Sequence, residues 1–294
     1  MRCGGVILAA LVLVGCGSVS AVQPDAAVDG TSDASDPDAA LVDAAVDAPA
    51  VDAPRTAWAG PEPVLNVNTS GSSEFHPTIS GDGLELYFVR NSGGTDPGRL
   101  FVATRASRTA PWNVPTEVAV AVGHLHPELS YDGLELYTIY NSMVHRAVRA
   151  SRTAPWTNPQ ALFDGSTPAT ASDGLVIYYT NWRDGFVRAR RRTSVTAAWG
   201  SEETPQAARG IYNSISVNPE GRYMLFMAPT DPFAFPNAAS MVRVGGSADW
   251  SNFLEDRALG DAKAQACDFV DDTEIYCSLV DATNRHDIVR FTRS

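Results

Sequence analysis

One unit recurs along the greater part of the chain, and it limits the possible folds more than any other feature. The first copy reads FHPTISGDGLELYF (75–88) and the second LHPELSYDGLELYT (125–138). PATASDGLVIYY (168–179), SISVNPEGRYMLFM (214–227) and QACDFVDDTEIYCS (265–278) are progressively degraded relatives. Their turn residues Gly83, Gly133, Gly174, Gly221 and Asp272 stand 50, 41, 47 and 51 residues apart, the interval of a propeller blade. In each copy an Asp-Gly or its relative separates two β-rich runs; Asp supports a turn through its side chain, and Gly accepts the positive φ that closes it. Asp82, Asp132 and Asp173 are therefore read as turn formers. The strands that follow, LELYF, LELYT and LVIYY, are apolar on both faces, as expected of a sheet covered on each side by another.

A second landmark follows each hairpin. Arg105-Ala-Ser-Arg-Thr-Ala-Pro-Trp112 recurs unchanged as Arg149-Ala-Ser-Arg-Thr-Ala-Pro-Trp156, and Trp199 and Trp250 hold the matching places later. The fifth Trp, Trp58, precedes the first hairpin, and the last copy runs out at Ser294 without one. The segment near 58–67 is thus expected to complete the final sheet and close the ring, leaving no open edge. The fold class is all-β: a five-bladed β-propeller over 56–294 closed by an N-terminal strand, six blades remaining possible if a degenerate copy lies in 228–262.

The amino end carries an address. Val6 to Val14 is apolar but about half the roughly 20 residues a spanning helix needs, which marks residues 1–15 as a signal peptide. Leu13-Val14-Gly15-Cys16 resembles the lipobox of bacterial lipoproteins, which implies lipidation at Cys16 and, with Gly17 rather than Asp following, an outer-membrane lipoprotein facing the periplasm or the cell surface. Residues 16–55 are rich in Asp, Ala and Pro with few large side chains, so they cannot offset the entropy of ordering and read as a disordered tether. Eight Asp fall in 22–54, which leaves 26 acidic against 21 basic residues in 55–294. A net charge of −12 argues against nucleic acid as a partner.

The run Pro-x-[Ile/Leu]-Ser-x-Asp-Gly followed by an aliphatic-aromatic strand, and then Leu100-Phe101-Val102-Ala103-Thr104-Arg105, resembles the WD40-like repeats of TolB-type propellers. The resemblance implies a partner in the envelope: an envelope protein, a peptidoglycan-associated component or a glycan.

Cys267 and Cys277 flank the last turn at equal parity, so their side chains emerge on one face and an oxidising compartment allows a disulfide between them. Alignment of the copies places His76, His126, Thr167, Ser214 and Gln265 at one equivalent position, near the channel mouth at the start of each innermost strand. His124 and His126, two apart on a strand, are expected to share a face. Glu74, His76, Arg90, His124, His126 and Arg183 form the set of candidate ligand-binding residues. Solvated histidines, a carbohydrate contact and a metal are all compatible with that set, and neither a metal nor a cofactor is assigned.

No Gly-x-Ser-x-Gly, His-Glu-x-x-His, phosphate loop or dinucleotide fingerprint occurs. Five-bladed glycosidases place three carboxylates on inner strands of different blades; Glu74, Glu128 and Asp268 lie on the matching strands, though at unequal depths in the alignment. No catalytic residue is assigned. The main expectation is a membrane-anchored, non-catalytic binding or interaction module, and the alternative is a carbohydrate-active enzyme, either a glycosidase or a metal-dependent lyase, working at the channel mouth.

Overall fold

The computed structural model describes residues 56–120, 122–205, 214–228, 237–243 and 250–294. The segments read as signal peptide (1–15) and tether (16–55), Cys16 included, lie outside the described residues. These residues form five antiparallel sheets. The first holds β2 (Ser73–Ile79), β3 (Glu85–Asn91), β4 (Arg99–Thr104) and β5 (Thr116–Glu117), and the second β6 (Leu125–Leu129), β7 (Glu135–Tyr140), β8 (Met143–Val148) and β9 (Gln160–Asp164). The third holds β10 (Ser166–Thr170), β11 (Val176–Thr180) and β12 (Val187–Arg191). The fourth holds β13 (Ile215–Val217), β14 (Tyr223–Ala228), β15 (Asn237–Arg243) and β16 (Trp250–Glu255). A short helix, α1 (Arg257–Asp261), leads into β17 (Ala264–Asp271), β18 (Glu274–Val280) and β19 (His286–Thr292), and β1 (Ala59–Pro63) completes this last sheet.

Against the expectation of five blades, four of these sheets are complete four-stranded blades. The third stops at three strands, its outer edge reduced to an isolated bridge between Ala189 and Glu203. Pro205 follows two residues later and cannot donate to a ladder, which limits any strand there. Residues 228–262, where a sixth copy was considered, hold instead the outer strands β15 and β16 of the fourth sheet and α1.

The ring closes through the amino-terminal strand as expected. Ala59, Glu62 and Pro63 pair with Thr292, Arg290 and Val289. The core is itself circular: each apolar cluster is shared by two consecutive sheets, and one, with Ile79, Leu86 and Trp112 against Val270, Tyr276 and Ile288, joins the first to the last. This is why LELYF and its relatives are apolar on both faces.

The Trp landmark works as a clamp. Arg105, Arg149 and Arg192 each donate from Nε to the carbonyl of the turn glycine of their own sheet, Gly83, Gly133 and Gly174, at 2.6, 2.7 and 2.6 Å. Each guanidinium lies 4.3 to 4.5 Å from the Trp seven residues on, Trp112, Trp156 and Trp199. Each also reaches a buried glutamate of the preceding sheet: Glu274 at 3.7 Å, Glu85 at 2.5 Å and Glu135 at 2.6 Å. At the closure Arg293 donates to the Asp272 carbonyl at 2.5 Å and stacks 4.2 Å from Trp58, so one clamp is built from both ends of the chain.

The turn Asp behave as read. Asp82 Oδ1 accepts from the Ser80 hydroxyl and Leu84 N, Asp132 repeats the pattern with Ser130 and Leu134 N, and Asp173 accepts from Leu175 N. The expected disulfide Cys267–Cys277 is present.

Candidate functional site

The inner strands β2, β6, β10, β13 and β17 touch one another in a closed circuit around the axis. Four of them are broken by a bulge at the same place. The pairing register jumps between Phe75 and Thr78, Leu125 and Glu128, Ser166 and Ala169, and Gln265 and Asp268. Each jump contains a residue in the left-handed region: His76 (φ 51°), His126 (46°), Thr167 (45°) and Ala266 (44°). Non-glycine residues, and a β-branched Thr above all, adopt this conformation only when the surroundings impose it. Pro77, Pro127 and Pro168 follow the bulged residue in three sheets, and Cys267, disulfide-bonded across the hairpin, takes that place in the fifth.

These bulges turn His76, His126, Thr167 and Ala266 toward the axis, where with Ser214 they line one end of the channel. The sequence alignment placed Gln265 in this ring, and the structure corrects it to Ala266. Without a Pro to anchor the fifth copy, the alignment slipped by one residue.

The same slip concealed the most unusual pair in the channel. Glu128 and Asp268 both stand two residues beyond their bulged residue and pair with tyrosines of the next strand, Tyr137 and Tyr276. They are at equal depth, contrary to the alignment. Glu128 Oε1 accepts from Thr170 N at 2.6 Å and the Thr170 hydroxyl at 2.9 Å, linking the second sheet to the third. Asp268 Oδ2 accepts from Ile79 N at 2.8 Å and the Thr78 hydroxyl at 2.9 Å, and Oδ1 from the Ser216 hydroxyl at 2.7 Å and Phe269 N at 2.9 Å. Thr78 Oγ1 in turn accepts from Leu129 N at 2.9 Å.

Burial raises the pKa of Glu128 well above the usual carboxylate range, and the nearby Asp268 charge adds to it. Burial also raises Asp268, opposed by its four donors. The two titrate as a unit in which Glu128 is the better proton holder and Asp268 the better anion. Both line each of two small cavities, one toward the histidines and one toward Ser172 and Pro219, each of about 20 Å³, room for about one water.

His76 and His126 stack with ring centroids 3.6 Å apart, and His76 Nδ1 is buried without a partner. Burial lowers the pKa of both: His76 well below its ordinary value, helped by His126 and His286, and His126 to about 4. His124 does not join them. The bulge interrupts the alternation on which the shared face depended, and His124 is buried with Nδ1 2.7 Å from the Thr138 hydroxyl and its ring stacked 5.0 Å from Tyr140. Among the described residues, no group of three His, Cys, Asp or Glu is placed to hold a metal.

Glu74 and Arg90 pair with each other, away from the axis. Glu74 is fully buried, receiving Arg90 Nε at 2.8 Å and the Thr69 hydroxyl at 2.8 Å, while Arg90 Nη2 donates to the Val67 carbonyl at 2.8 Å. Arg183 lies in the loop joining β11 to β12, at the end of the sheet where the inner strand begins. It is exposed, 5.1 Å from the Trp182 ring and 3.4 Å from Asp164. Trp182 and Tyr140 are exposed aromatic rings in matching loops of that end.

A histidine held neutral by burial must be charged as the chain unfolds in acid. The unfolded state binds more protons than the folded state between the ordinary value near 6.5 and the lowered one near 4, so the histidine contribution to stability falls as pH drops through that window. Replacing His76 and His126 together by Gln should flatten the unfolding free energy measured between pH 6.5 and 4 by on the order of 2–3 kcal/mol for each histidine relative to the parent. A profile identical to the parent would contradict their neutral burial.

No family model and no curated protein matches the sequence. Solved structures do match. The catalytic domain of a GH62 α-L-arabinofuranosidase from Coprinopsis cinerea superposes with a TM-score of 0.61 at 8% identity, covering 82% of this chain and 98% of that one. An α-L-arabinofuranosidase from Podospora anserina, in complex with cellotriose, gives 0.57 at 12% identity, covering 82% and 97%. The native arabinanase of Bacillus subtilis gives 0.51 at 14% identity, covering 75% and 95%. The expectations of a TolB-type relative and of a non-catalytic binding module are corrected here: the propellers that match are glycoside hydrolases. At such low identity the likeness speaks for architecture, and by that measure the described chain is an all-β propeller of the kind on which these glycoside hydrolases are built.

Proposed function

We propose that the protein is a carbohydrate-active enzyme of the glycosidase type, with Glu128 as proton donor and Asp268 as its ionised partner. The observation that carries this reading is the pair itself: two buried carboxylates from different inner strands, at equal depth, Asp268 accepting from four donors and Glu128 from two. Glycoside cleavage asks for one carboxyl that keeps its proton near neutral pH and one that does not. A cavity with room for about one water beside Asp268 suits the hydrolytic water. The channel is too narrow for a whole sugar, so the substrate sits over the mouth at His76 and His126, the proton of Glu128 reaches the leaving oxygen through a water in the cavity between them, and the exposed rings of Trp182 and Tyr140 offer flat apolar faces for sugar rings. The named activities of the structural neighbours make arabinose-containing polysaccharides the first substrates to test.

The ring in this reading counts five blades, β10–β12 being the short third one. The chain is held to the outer membrane by a lipid on Cys16, with 16–55 as spacer, and acts on glycans of the envelope or its surroundings. Cys16→Ala should move the protein from the membrane fraction to the soluble one. The mature chain, incubated with arabinoxylan, arabinan and mannan, should release reducing sugar from at least one. Absence of release from a broad panel of polysaccharides and aryl glycosides would overturn the enzymatic reading.

A further inference from the structure

Three successive grooves at the turn end of the ring, last-to-first, first-to-second and second-to-third, are built alike, and one of them lacks a part. Three residues after each clamp arginine comes the second Arg of the landmark, Arg108 or Arg152, whose carbonyl receives the clamp's Nη1 at 2.7 or 2.9 Å. Between the last and first sheets, Arg108 Nη2 donates to Asp271 Oδ2 at 2.7 Å and Glu274 Oε2 at 2.6 Å. Between the first and second, Arg152 Nη1 donates to Asp82 Oδ2 at 2.5 Å, with Nε 4.0 Å from Glu85. Both guanidiniums fill the groove by bridging a turn Asp toward a buried Glu three residues on.

Between the second and third sheets the same position is Val195. The backbone is equivalent, since the Val195 carbonyl receives Arg192 Nη1 at 2.7 Å. The acceptors are also in place. Asp132 Oδ1 is occupied by its own turn through Ser130 and Leu134 N, as in Asp82, but among the described residues no side chain donates to its Oδ2. Glu135, three residues on, is held by Arg192 and Arg146. Where the guanidinium lies in the sister grooves there is a cavity of about 250 Å³ lined by Asp132, Glu135, Asp173, Arg146 and Val195. That is many times the about 10–15 Å³ one water needs. A third cation is also electrostatically acceptable here, because Glu274 in the last-to-first groove already carries three, with Arg105 at 3.7 Å, Arg108 at 2.6 Å and Arg290 at 2.8 Å.

We propose that this groove is a binding site for a guanidinium group supplied from outside the chain, taking the place that Arg108 and Arg152 take in its sisters. The flat, forked group suits the site because it can reach Asp132 Oδ2 and lie toward Glu135 at once, as Arg108 does with Asp271 and Glu274. The ligand class is therefore guanidinium-bearing. A single ammonium point charge cannot make the same pair of contacts.

Titration of the full chain with agmatine, which has no peptide backbone, and with acetyl-Gly-Arg-Gly-amide, followed by calorimetry or NMR, tests this. At least one should bind saturably, and acetyl-Gly-Lys-Gly-amide should bind at least about tenfold more weakly, reflecting the lost fork. Tighter binding of the peptide assigns the source to a protein partner, and tighter binding of agmatine to a free small molecule. Val195→Arg should abolish binding by restoring the internal guanidinium, Val195→Leu should not, and Asp132→Asn should weaken it about tenfold through loss of a charge-assisted hydrogen bond. The Asn variant keeps the turn acceptor, so it stays informative should the Arg variant fail to fold. Absence of saturable binding, equal affinity for the lysine peptide, or binding that persists unchanged in Val195→Arg would overturn the assignment.

Discussion

Trp58→Ala should destabilise the protein by about 3–5 kcal/mol, as expected for removing a buried indole. Trp58 is 6% exposed, packs 6.5 Å from Phe269 and carries the Arg293 guanidinium on its face. The loss should exceed what the exposed strand β1, whose five residues all face solvent, suggests by itself. Deleting residues 56–67 removes β1 as well and should do more than lower stability. It exposes the unpaired edge of β19 and deprives Val270, Tyr276 and Ile288 of Val64 and Val67, which lie in the same cluster. A protein so cut should lose cooperative urea unfolding and associate through that edge. A monomeric deletion variant with an unchanged urea midpoint would contradict closure of the ring through both chain ends.

The second large effect concerns chemistry. If Glu128 donates the proton to the leaving oxygen, Glu128→Gln should cut turnover on a polysaccharide by about 10²–10⁴-fold while leaving the fold intact, because Gln still accepts from Thr170. An aryl glycoside with a good leaving group needs little protonation and should suffer far less. A merely structural role would depress both substrates equally. The pH profile gives an independent sign. The rate should decline on the alkaline side as Glu128 loses its proton, and the Asp268 charge is one cause of its raised pKa. An Asp268→Asn variant should therefore move the alkaline limb of any residual activity to lower pH. Movement to higher pH, or none, would contradict the coupling of the two carboxylates.

The clearest sequence signals came from local rules repeated many times. Asp-Gly turns, both-faced apolar strands and the recurring Arg and Trp are each set by near neighbours, and five copies correct one another's noise. The missing Trp after the last hairpin and the surplus Trp58 before the first were enough to foresee the pairing of β1 with β19. The candidate site was legible only in part. His76 and His126 line the channel end, yet His124 was drawn in by an assumption of unbroken alternation, and Glu74 and Arg90, expected to flank the mouth, pair with each other instead. A bulge moves every later side chain by one position, and nothing in the fifth copy's sequence announces its bulge once Pro is replaced by Cys267.

What the linear chain determined by itself was the all-β architecture, the circular closure and the Cys267–Cys277 link, because hairpin geometry and side-chain parity act over a few residues. What only the tertiary structure decided was which polar groups meet. Glu128 and Asp268 are 140 residues apart in sequence and come together because two bulged inner strands carry them to one depth around a common axis. The gap at Val195 likewise becomes a cavity only because Asp132 and Glu135 of the preceding sheet face it. Burial, which sets the protonation of the pair, is a property of the closed ring and of no segment within it.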